Sequence, residues 1–429
     1  MMTNEVEVPL AGYGSPVDDL DATALRSILV QALAHITPGE RVLAIIPDKT
    51  RDDNTHQLFP IAAEILSSQG VRVFDALVAQ GTHAAMTKAE KLVKVGLHDQ
   101  ALTAFGGRIF DHEWNNTEEL ITLGELSRSR VGELTNGLLD TKIPLTINRL
   151  LAPDPYDVVL VFGGTVPHEV AGFAGGAKYF SPGVSGAELT HATHWLGALA
   201  SIEAVIGHVE TPTRHLIEAA AESVPARIIS LNSVTTRDAA NRLRTHALFA
   251  GDIRAAFRRA AEVSRQVHIK YTKRKYKRVV TLLDEHYDEM WTGGKASYRL
   301  GAIIEEAGEL IVYAPHLRCL SDTHGALVER YGYAPLEKVR EMVANSDELR
   351  DNLCVAAHLA HVAYAGRSDD PKQPRYKITL ASQISEAVCH RVGFDYLDYR
   401  AFNYANYEDD ADTLIVEGAG RDLYMVAAS

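Results

Sequence analysis

Short apolar, mostly β-branched runs alternate along this chain with longer stretches of helical periodicity, and this alternation limits the fold more than any other feature. The runs predict strands at Arg41–Pro47, Val71–Ala79, Tyr156–Phe162, Arg227–Leu231, Val279–Leu283, Glu309–Pro315, Ile378–Ala381 and Thr413–Glu417. The periodic stretches predict helices over Gln57–Gln69, His191–Ile206 and Asp322–Asn345. Strands that alternate with helices are typical of an α/β fold with mostly parallel sheets.

Polar residues follow the first three predicted strands at the points where those strands end. Asp48 and Arg51 come after the first strand, His83 after the second, and His168 after the third. Because ligands of parallel sheets bind beyond the carboxyl ends of the strands, we expect these side chains to share one crevice. Taken one at a time, the acidic and basic pair also fits a helix N-cap with an ion pair, and the first histidine fits a turn.

A glycine-rich stretch runs from His168 to Lys178 and reads His-Glu-Val-Ala-Gly-Phe-Ala-Gly-Gly-Ala-Lys. Glycines such as Gly175 and Gly176 let the backbone approach a ligand closely, and a lysine near histidines can anchor a cofactor. The stretch is not a phosphate-binding P-loop, because tyrosine follows the lysine where Ser or Thr would bind magnesium. No GxGxxG sequence opens a helix after a strand, so a dinucleotide is poorly supported.

Two pairs of histidines have helical spacing. His191 and His194 would share one helix face, as would His358 and His361. Such pairs more often pack in a core or lie on a surface than bind metal, and the HExxH sequence of zinc proteases is absent. The second pair has no companion motif, so we interpret it as structural.

The charge balance limits the partners. The chain has 43 Lys and Arg against 56 Asp and Glu, a net charge of −13, which argues against a nucleic-acid-binding surface. The basic segment His268–Arg278 is therefore interpreted as a connector or a solvated helix face close to a domain boundary. A length of 429 residues allows two or three domains. We predict an N-terminal α/β domain over 1–270 and a C-terminal α/β domain over 271–429.

The compartment is predicted from the cysteines and the termini. Cys319, Cys354 and Cys389 are far apart and odd in number, as expected of reduced thiols. The acidic N-terminal segment has no apolar core of a signal peptide, and no apolar run is long enough to span a membrane. We expect a cytoplasmic protein that binds neither nucleic acid nor membrane.

Taken together, the motifs resemble the nickel-pincer lactate racemase family. The Asp-x-Thr-Arg segment at Asp48, the Gly-x-His at His83, and the His168, Lys178, His194 series occur in the family's order, with Lys295 further downstream. The resemblance covers most of the chain. It implies two α/β domains with the active site in the cleft between them, and a pyridinium bis-thiocarboxylate mononucleotide that holds nickel as a pincer.

The resemblance also implies a role for each matching residue. Lys178 is similar to the lysine that attaches the cofactor covalently, with Asp48, Gly175 and Gly176 at the cofactor site, and His194 is similar to the nickel ligand. The remaining assignments are His83 and His168 as paired general acid/bases, and Arg51, Lys295, Trp291 and Thr292 as substrate-binding residues.

The chemistry that the family carries out explains these residue types. One imidazole takes the hydroxyl proton of a 2-hydroxy acid while the cofactor accepts hydride from C2, and hydride returns to the other face of the keto acid. Two bases are needed because the hydroxyl lies on opposite sides in the two enantiomers. Histidine's ordinary pKa near 6.5 suits both roles.

The chain departs from the lactate enzymes around the substrate. Trp291 and Thr292 stand where a Tyr-Gln pair is usual, the two glycines before Lys295 are expected to open space, and Glu169 and Val170 replace aromatics after His168. We therefore expect a substrate larger or more polar than lactate, such as an aldonate, and separate proteins that make the cofactor.

Two other functions stay open. A metal-dependent hydrolase or lyase could use the His191 and His194 region with a carboxylate. A non-catalytic carrier of the nickel cofactor would keep Lys178 and His194 but would have no use for His83 or Arg51.

Overall fold

The computed structural model describes residues 8–98, 107–285 and 287–427. In this part of the chain it shows a mixed α/β protein with mostly parallel sheets, which confirms the predicted fold class. The strands are β1 Ala11–Gly14, β2 Arg41–Pro47, β3 Val73–Ala79, β4 Ile109–Phe110, β5 Leu120–Leu126, β6 Ile143–Asn148, β7 Val158–Gly164, β8 Pro167–His168, β9 Gly172–Phe173, β10 Arg227–Arg237, β11 Leu243–Gly251, β12 Ile269–Thr272, β13 Tyr276–Leu282, β14 Ile304–Ala314, β15 Lys377–Ser382, β16 Asp395–Tyr396, β17 Thr413–Glu417 and β18 Leu423–Val426.

The helices connect these strands. They are α1 Ala22–Ala32, α2 Thr55–Gln69, α3 Lys88–Val95, α4 Arg128–Leu134, α5 Ala187–Leu199, α6 Ile202–Val205, α7 Pro212–Ala221, α8 Ile253–His268, α9 Met290–Gly293, α10 Lys295–Leu300, α11 Gly325–Tyr331, α12 Leu336–Asn345, α13 Asp347–Arg350, α14 Leu353–Ala363 and α15 Glu386–Arg391. Short 3-10 turns lie at Thr117–Glu119, Arg149–Leu151, Gly176–Tyr179, Gly301–Ile303 and Tyr404–Asn406.

The described residues form two compact units. The first contains the residues up to Thr193 together with Val209–Val267, and the second contains His194–His208 together with the residues from His268 onward. The chain therefore enters the second unit for one short segment before it returns to the first. The border between Thr193 and His194 falls inside α5.

A seven-stranded sheet in the order β1-β11-β10-β7-β2-β3-β4 forms the centre of the first unit. Neighbours among β10, β7, β2, β3 and β4 pair in parallel. At one edge, β11 pairs antiparallel with both β10 and β1. Strands β7, β2 and β3, which carry the predicted site residues at their ends, are adjacent and parallel. Their carboxyl ends consequently lie side by side.

The central strands are apolar throughout because both faces of the sheet are buried. On β2, Val42 and Ile46 belong to a core with α1 and α2, whereas Leu43 and Ile45 belong to a second core with Phe180 and Ile217. Alternate residues of a strand point to opposite faces, so a strand between two layers needs apolar side chains at every position. This is why the bounds of β2 were predicted correctly from the sequence.

The second unit contains a five-stranded sheet in the order β16-β15-β14-β13-β17, in which all neighbours are parallel. Val280 on β13, Val312 on β14 and Leu380 on β15 are completely buried. The segment after β13 leads into α9 and α10, and the segment after β14 leads into α11.

Two of the helices were wrongly predicted as continuous; each is two separate helices in the structure. The stretch His191–Ile206 is divided between α5 and α6, with Ser201 at a φ of +67° between them. The stretch Asp322–Asn345 is divided between α11 and α12, because Gly332 adopts a φ of +70° and Pro335 precedes the second helix. The periodicity of apolar side chains gives no sign of a single residue whose backbone angle changes the chain direction.

The basic segment His268–Arg278 is not a helix face. It forms β12 and the start of β13, and several of its charges pair with acidic residues; Lys277 Nζ lies 2.7 Å from Asp412 Oδ2. It does lie at the border of the second unit. No helix in the described ranges is long and apolar enough to cross a membrane.

Candidate functional site

The end of β2 and the turn after β3 bring Asp48 and His83 together. The Oδ2 atom of Asp48 lies 2.7 Å from Nδ1 of His83, and Asp48 is 2% exposed. Its other oxygen accepts hydrogen bonds from the amide (2.8 Å) and hydroxyl (2.6 Å) of Thr50. Asp48 is therefore not the cap of the next helix; that position belongs to Asn54.

This arrangement keeps the Asp48 carboxylate charged. Burial alone would raise the pKa of Asp48, but the charge and hydrogen bond of His83, followed by Arg51 and Thr50, lower it far below its usual range. A carboxylate can only accept a hydrogen bond, so when the His83 ring is neutral its proton lies on Nδ1 and Nε2 presents a lone pair. An imidazole held in this way can accept a proton at Nε2.

The hydrogen bonding of His168 favours the opposite tautomer from that of His83. It is 6% exposed, and its Nδ1 atom accepts a hydrogen bond of 3.1 Å from the amide of Val170. Because an amide can only donate, the neutral ring carries its proton on Nε2. The carboxylate of Glu169 lies 3.6 Å from the same Nδ1 atom. When the ring becomes charged, this carboxylate is available to Nδ1 as an acceptor.

Lys178 lies in the short 3-10 turn after the glycine-rich stretch and is partly exposed. Burial of its amine and the nearby charges of Arg51 and Arg214 lower its pKa to about 7, against the opposing effect of Glu169 and Asp48. A substantial fraction of this amine is therefore neutral near pH 7, which is the form that acts as a nucleophile.

The glycines before Lys178 are required by the protein itself. A Cβ atom on Gly175, which has a φ of +99°, would lie 2.7 Å from the hydroxyl of Thr165 and 2.9 Å from Oδ1 of Asn232. A Cβ on Gly176 would lie 3.1 Å from Phe257, and its amide donates to Asn232 at 2.8 Å. Internal packing thus accounts for both residues, and their contact with a cofactor stays a prediction.

In the second unit the predicted substrate residues cluster around Trp291. Its ring contacts those of His358 and His324, with centroid separations of 4.0 and 4.5 Å. Lys295 Nζ lies 4.7 Å from the ring centroid of Tyr287, and the Thr292 hydroxyl donates to the carbonyl of Glu289. Trp291 and Lys295 come after the carboxyl end of β13, and His324 comes after the carboxyl end of β14, the neighbouring strand.

His358 is a buried part of this cluster that the sequence interpretation treated as structural. The hydroxyls of Tyr298 and Tyr333 lie 3.0 and 3.5 Å from its two ring nitrogens. Burial, followed by the nearby charges of His361, His324, His194 and Lys295, lowers the pKa of His358 well below 6.5. The ring is consequently neutral and holds the predicted residue Trp291 in place, a role that no local motif indicated.

The space expected beside Gly293 and Gly294 is already filled. A Cβ on Gly293 would lie 2.9 Å from Leu283 and 3.0 Å from Leu317, and one on Gly294 would lie 2.7 Å from Val362. The expectation that these glycines enlarge the substrate pocket is therefore wrong. They are small because side chains of the same unit pack against them.

Few residues are arranged to hold a metal. Among the described residues, one set of three or more His, Cys, Asp and Glu side chains has ligand atoms within 4.8 Å of one another: Glu289, Cys319 and Asp322. Burial and the charge of Asp322 raise the pKa of the Cys319 thiol to about 11, which disfavours the thiolate that metals require. The set does not include His191, whose ring packs at 5.7 Å from that of Trp114.

Comparison with known proteins identifies relatives of the whole chain. The family described as "Lactate racemase N-terminal domain" matches residues 22–207. A crystal structure of a Thermotoga maritima protein is 30% identical with a TM-score of 0.86, and the alignment covers 97% of this chain and 100% of that one. The lactate racemase apoprotein of Thermoanaerobacterium thermosaccharolyticum, 18% identical with a TM-score of 0.68 over 93% of this chain and 92% of that one, has a similar fold. No curated protein sequence gives a significant match.

Proposed function

Since residues 22–207 of the chain belong to the lactate racemase N-terminal domain family, which indicates a racemase or epimerase, we propose that the protein inverts the C2 centre of a 2-hydroxy acid. The observation that carries this proposal is the contact of 2.7 Å between Asp48 and His83 at the ends of two adjacent strands. It orients the His83 ring through a carboxylate on which the charge of Arg51 also acts, and arginine is suited to bind a substrate carboxylate. A base and a carboxylate clamp are what removal of a hydroxyl proton from such an acid requires.

The proposed cofactor is a nickel-pincer nucleotide attached covalently at Lys178, with His194 as the protein ligand of nickel. The chemistry of Lys178 fits this group, because an amine with a pKa of about 7 can condense with a thiocarboxylic acid near neutral pH, forming a thioamide with loss of water. Imidazole is an ordinary ligand of nickel. When bound, this cofactor would provide a reversible hydride acceptor for C2 of the substrate.

The chain's own residues supply the proton transfers and the orientation. We assign His83 as the base for the hydroxyl proton of one enantiomer and His168 as its counterpart for the other. Arg51 and Lys295 bind the carboxylate; the guanidinium of arginine presents a planar pair of donors that matches it. Holding the carboxylate lets the keto acid turn over without leaving the site.

The proposed substrate is larger or more polar than lactate, an aldonate for example. The support comes from Trp291 and Thr292 at positions where the lactate enzymes carry Tyr and Gln, and from Glu169 after His168. Imidazoles that contact Trp291 add polar character to its surroundings. We also propose that separate proteins synthesise the cofactor.

Isotopic labelling tests the reaction. Protein produced together with the cofactor's biosynthetic enzymes is given single enantiomers of lactate and of several aldonates, each deuterated at C2, in ordinary water. We expect inversion at C2 with the deuterium kept, fastest for an aldonate. Loss of deuterium to solvent would rule out hydride transfer, and lactate as the fastest substrate would rule out the proposed substrate class.

The two other functions are separated by one mass spectrum and one variant. Peptide mapping should find the nucleotide on Lys178; a cofactor-free, zinc-containing protein that hydrolyses an ester would instead identify a hydrolase. His83→Ala should keep the adduct and lose turnover. If the wild-type protein carries the adduct but inverts no 2-hydroxy acid, it is a carrier.

A further inference from the structure

Arg214 is a completely buried arginine in the first turn of α7, and its guanidinium is directed at the backbone before Lys178. Nη1 donates to the carbonyl of Gly175 at 3.1 Å, and Nη2 donates to the carbonyls of Phe173 and, at 3.5 Å, Ala171. The ring of Phe257 lies 3.8 Å from the guanidinium carbon. Every second carbonyl from 171 to 175 is therefore turned toward one side chain.

This charge has no carboxylate within ion-pair distance among the described residues. Its nearest acid along α7, Glu218, is bound instead by Arg254 and Arg258. Burial lowers the pKa of Arg214 to about 10, so the group is still charged at neutral pH. A buried charge is costly unless polar groups surround it. Here the compensating groups are the carbonyls of the glycine-rich stretch, which ties the position of that stretch to Arg214.

We propose that Arg214 is a positioning residue for Lys178, which fixes the backbone of 171–175 and keeps the lysine amine in its neutral, reactive form. The first effect follows from the three carbonyl contacts. The second follows from repulsion between two nearby positive charges. The charged groups that act on the amine are Arg51 and Arg214, which favour the neutral form, and Glu169 and Asp48, which oppose it.

This inference depends on the proposed function in one respect: it takes Lys178 as the residue to which the cofactor is attached. Its test uses the full-length protein without cofactor, so its result does not depend on whether nickel nucleotide is ever bound. Failure to find an adduct on Lys178 in cofactor-loaded wild-type protein would overturn the proposed function and leave the positioning role standing.

The experiment measures the acetylation of Lys178 by trace acetic anhydride across the neutral and alkaline range, with peptide mapping, in the wild type, Arg214→Met and Arg214→Lys. The wild type should react half-maximally near pH 7. In the methionine variant the midpoint should move to higher pH, because one repelling charge is gone. In the lysine variant, which keeps the charge, the midpoint should stay low.

Amide hydrogen exchange over 171–176 reports the first effect, the fixing of the backbone. Exchange should be roughly tenfold faster or more in both variants, because the single ammonium nitrogen of lysine cannot replace the two guanidinium nitrogens that contact these carbonyls, and methionine has no donor. Arg259→Met, the same change on the exposed side of α8, is the control and should alter neither measurement. If the methionine variant does not fold, the amide exchange rate of the lysine variant tests the proposal. An exchange rate in the lysine variant equal to that of the wild type would overturn the proposal. So would an acetylation midpoint in the methionine variant equal to that of the wild type.

Discussion

At the scale of single residues, the site depends on which hydrogen-bonding partner each imidazole has. His83 contacts a carboxylate and His168 accepts from an amide, so in their neutral forms the two rings present a lone pair and a proton, respectively, at Nε2. Two chemically identical side chains are thereby prepared as different tautomers.

Replacing Asp48 by Asn tests this preparation. The variant keeps the shape of the side chain but loses the charge that would stabilise the imidazolium in the proposed reaction at His83. We expect kcat of the cofactor-loaded enzyme to fall by roughly 10²–10⁴-fold, the usual contribution of general acid–base catalysis. Steady-state inversion rates measure the effect. Asp52→Asn, the same change at a half-exposed aspartate that pairs with Arg237, is the control and should stay within a few-fold of wild type. Equal losses in both variants would contradict the role given to Asp48.

At the scale of elements, close packing around the turns that carry the site restricts substitution. A Cβ on Gly163, at the end of β7, would lie 2.1 to 2.2 Å from the ring of Tyr179, the residue after Lys178. Gly163→Ala should therefore displace that ring and lower the free energy of unfolding by about 1–3 kcal/mol. Gly132→Ala, in helix α4 with nothing near the added methyl, should raise it by up to about 1 kcal/mol. Urea unfolding of the two variants checks the opposite signs.

The cluster in the second unit makes a similar prediction for α14. His358→Leu removes the ring nitrogens that the tyrosine hydroxyls of Tyr298 and Tyr333 contact, and it removes the ring that packs on Trp291. The free energy of unfolding should fall by about 1–3 kcal/mol, and the near-ultraviolet circular dichroism of the tryptophan should change. His390→Leu, on the exposed side of α15, should alter neither. An unchanged spectrum for the first variant would mean that the imidazole does not hold Trp291.

At the scale of the whole molecule, the pH dependence of stability contains a contribution from Lys178. Its pKa is about 7 in the folded protein against 10.5 for an ordinary lysine. Between these values the unfolded chain binds a proton that the folded chain does not, so the free energy of unfolding rises with pH across this window. Below pH 7 the folded protein carries the full cost of the buried charge.

Lys178→Met removes that contribution. Relative to wild type, the cofactor-free variant should be more stable below pH 7, and its advantage should shrink as the pH approaches 10.5. Denaturant unfolding at several pH values measures the difference. Lys49→Met, at an exposed lysine that pairs with Glu90, is the control and should show no such trend. A constant difference between the variant and the wild type would mean that the amine of Lys178 is not desolvated.

The sequence predicts strands and strand ends better than it predicts the contacts of the second unit. β2 and β17 were bounded correctly because their apolar runs begin and end at polar or proline residues, and Asp48 and His83 met because adjacent parallel strands end at one edge. The division of α5 from α6 depends on one unusual dihedral angle at Ser201. His358 meets Tyr298 across 60 residues, and Arg214 looks like any arginine of an amphipathic helix; only the folded chain brings their partners to them.

The reactivity of the Lys178 amine also affects how the protein should be handled. Cyanate, which accumulates in ageing urea solutions, carbamoylates neutral amines far faster than charged ones, and most lysines escape because they are protonated. An amine with a pKa of about 7 does not have that protection. Folded protein kept in old urea at a concentration too low to unfold it can therefore be blocked at this lysine while its fold looks normal, and a failure to load the proposed cofactor would then reflect the history of the sample.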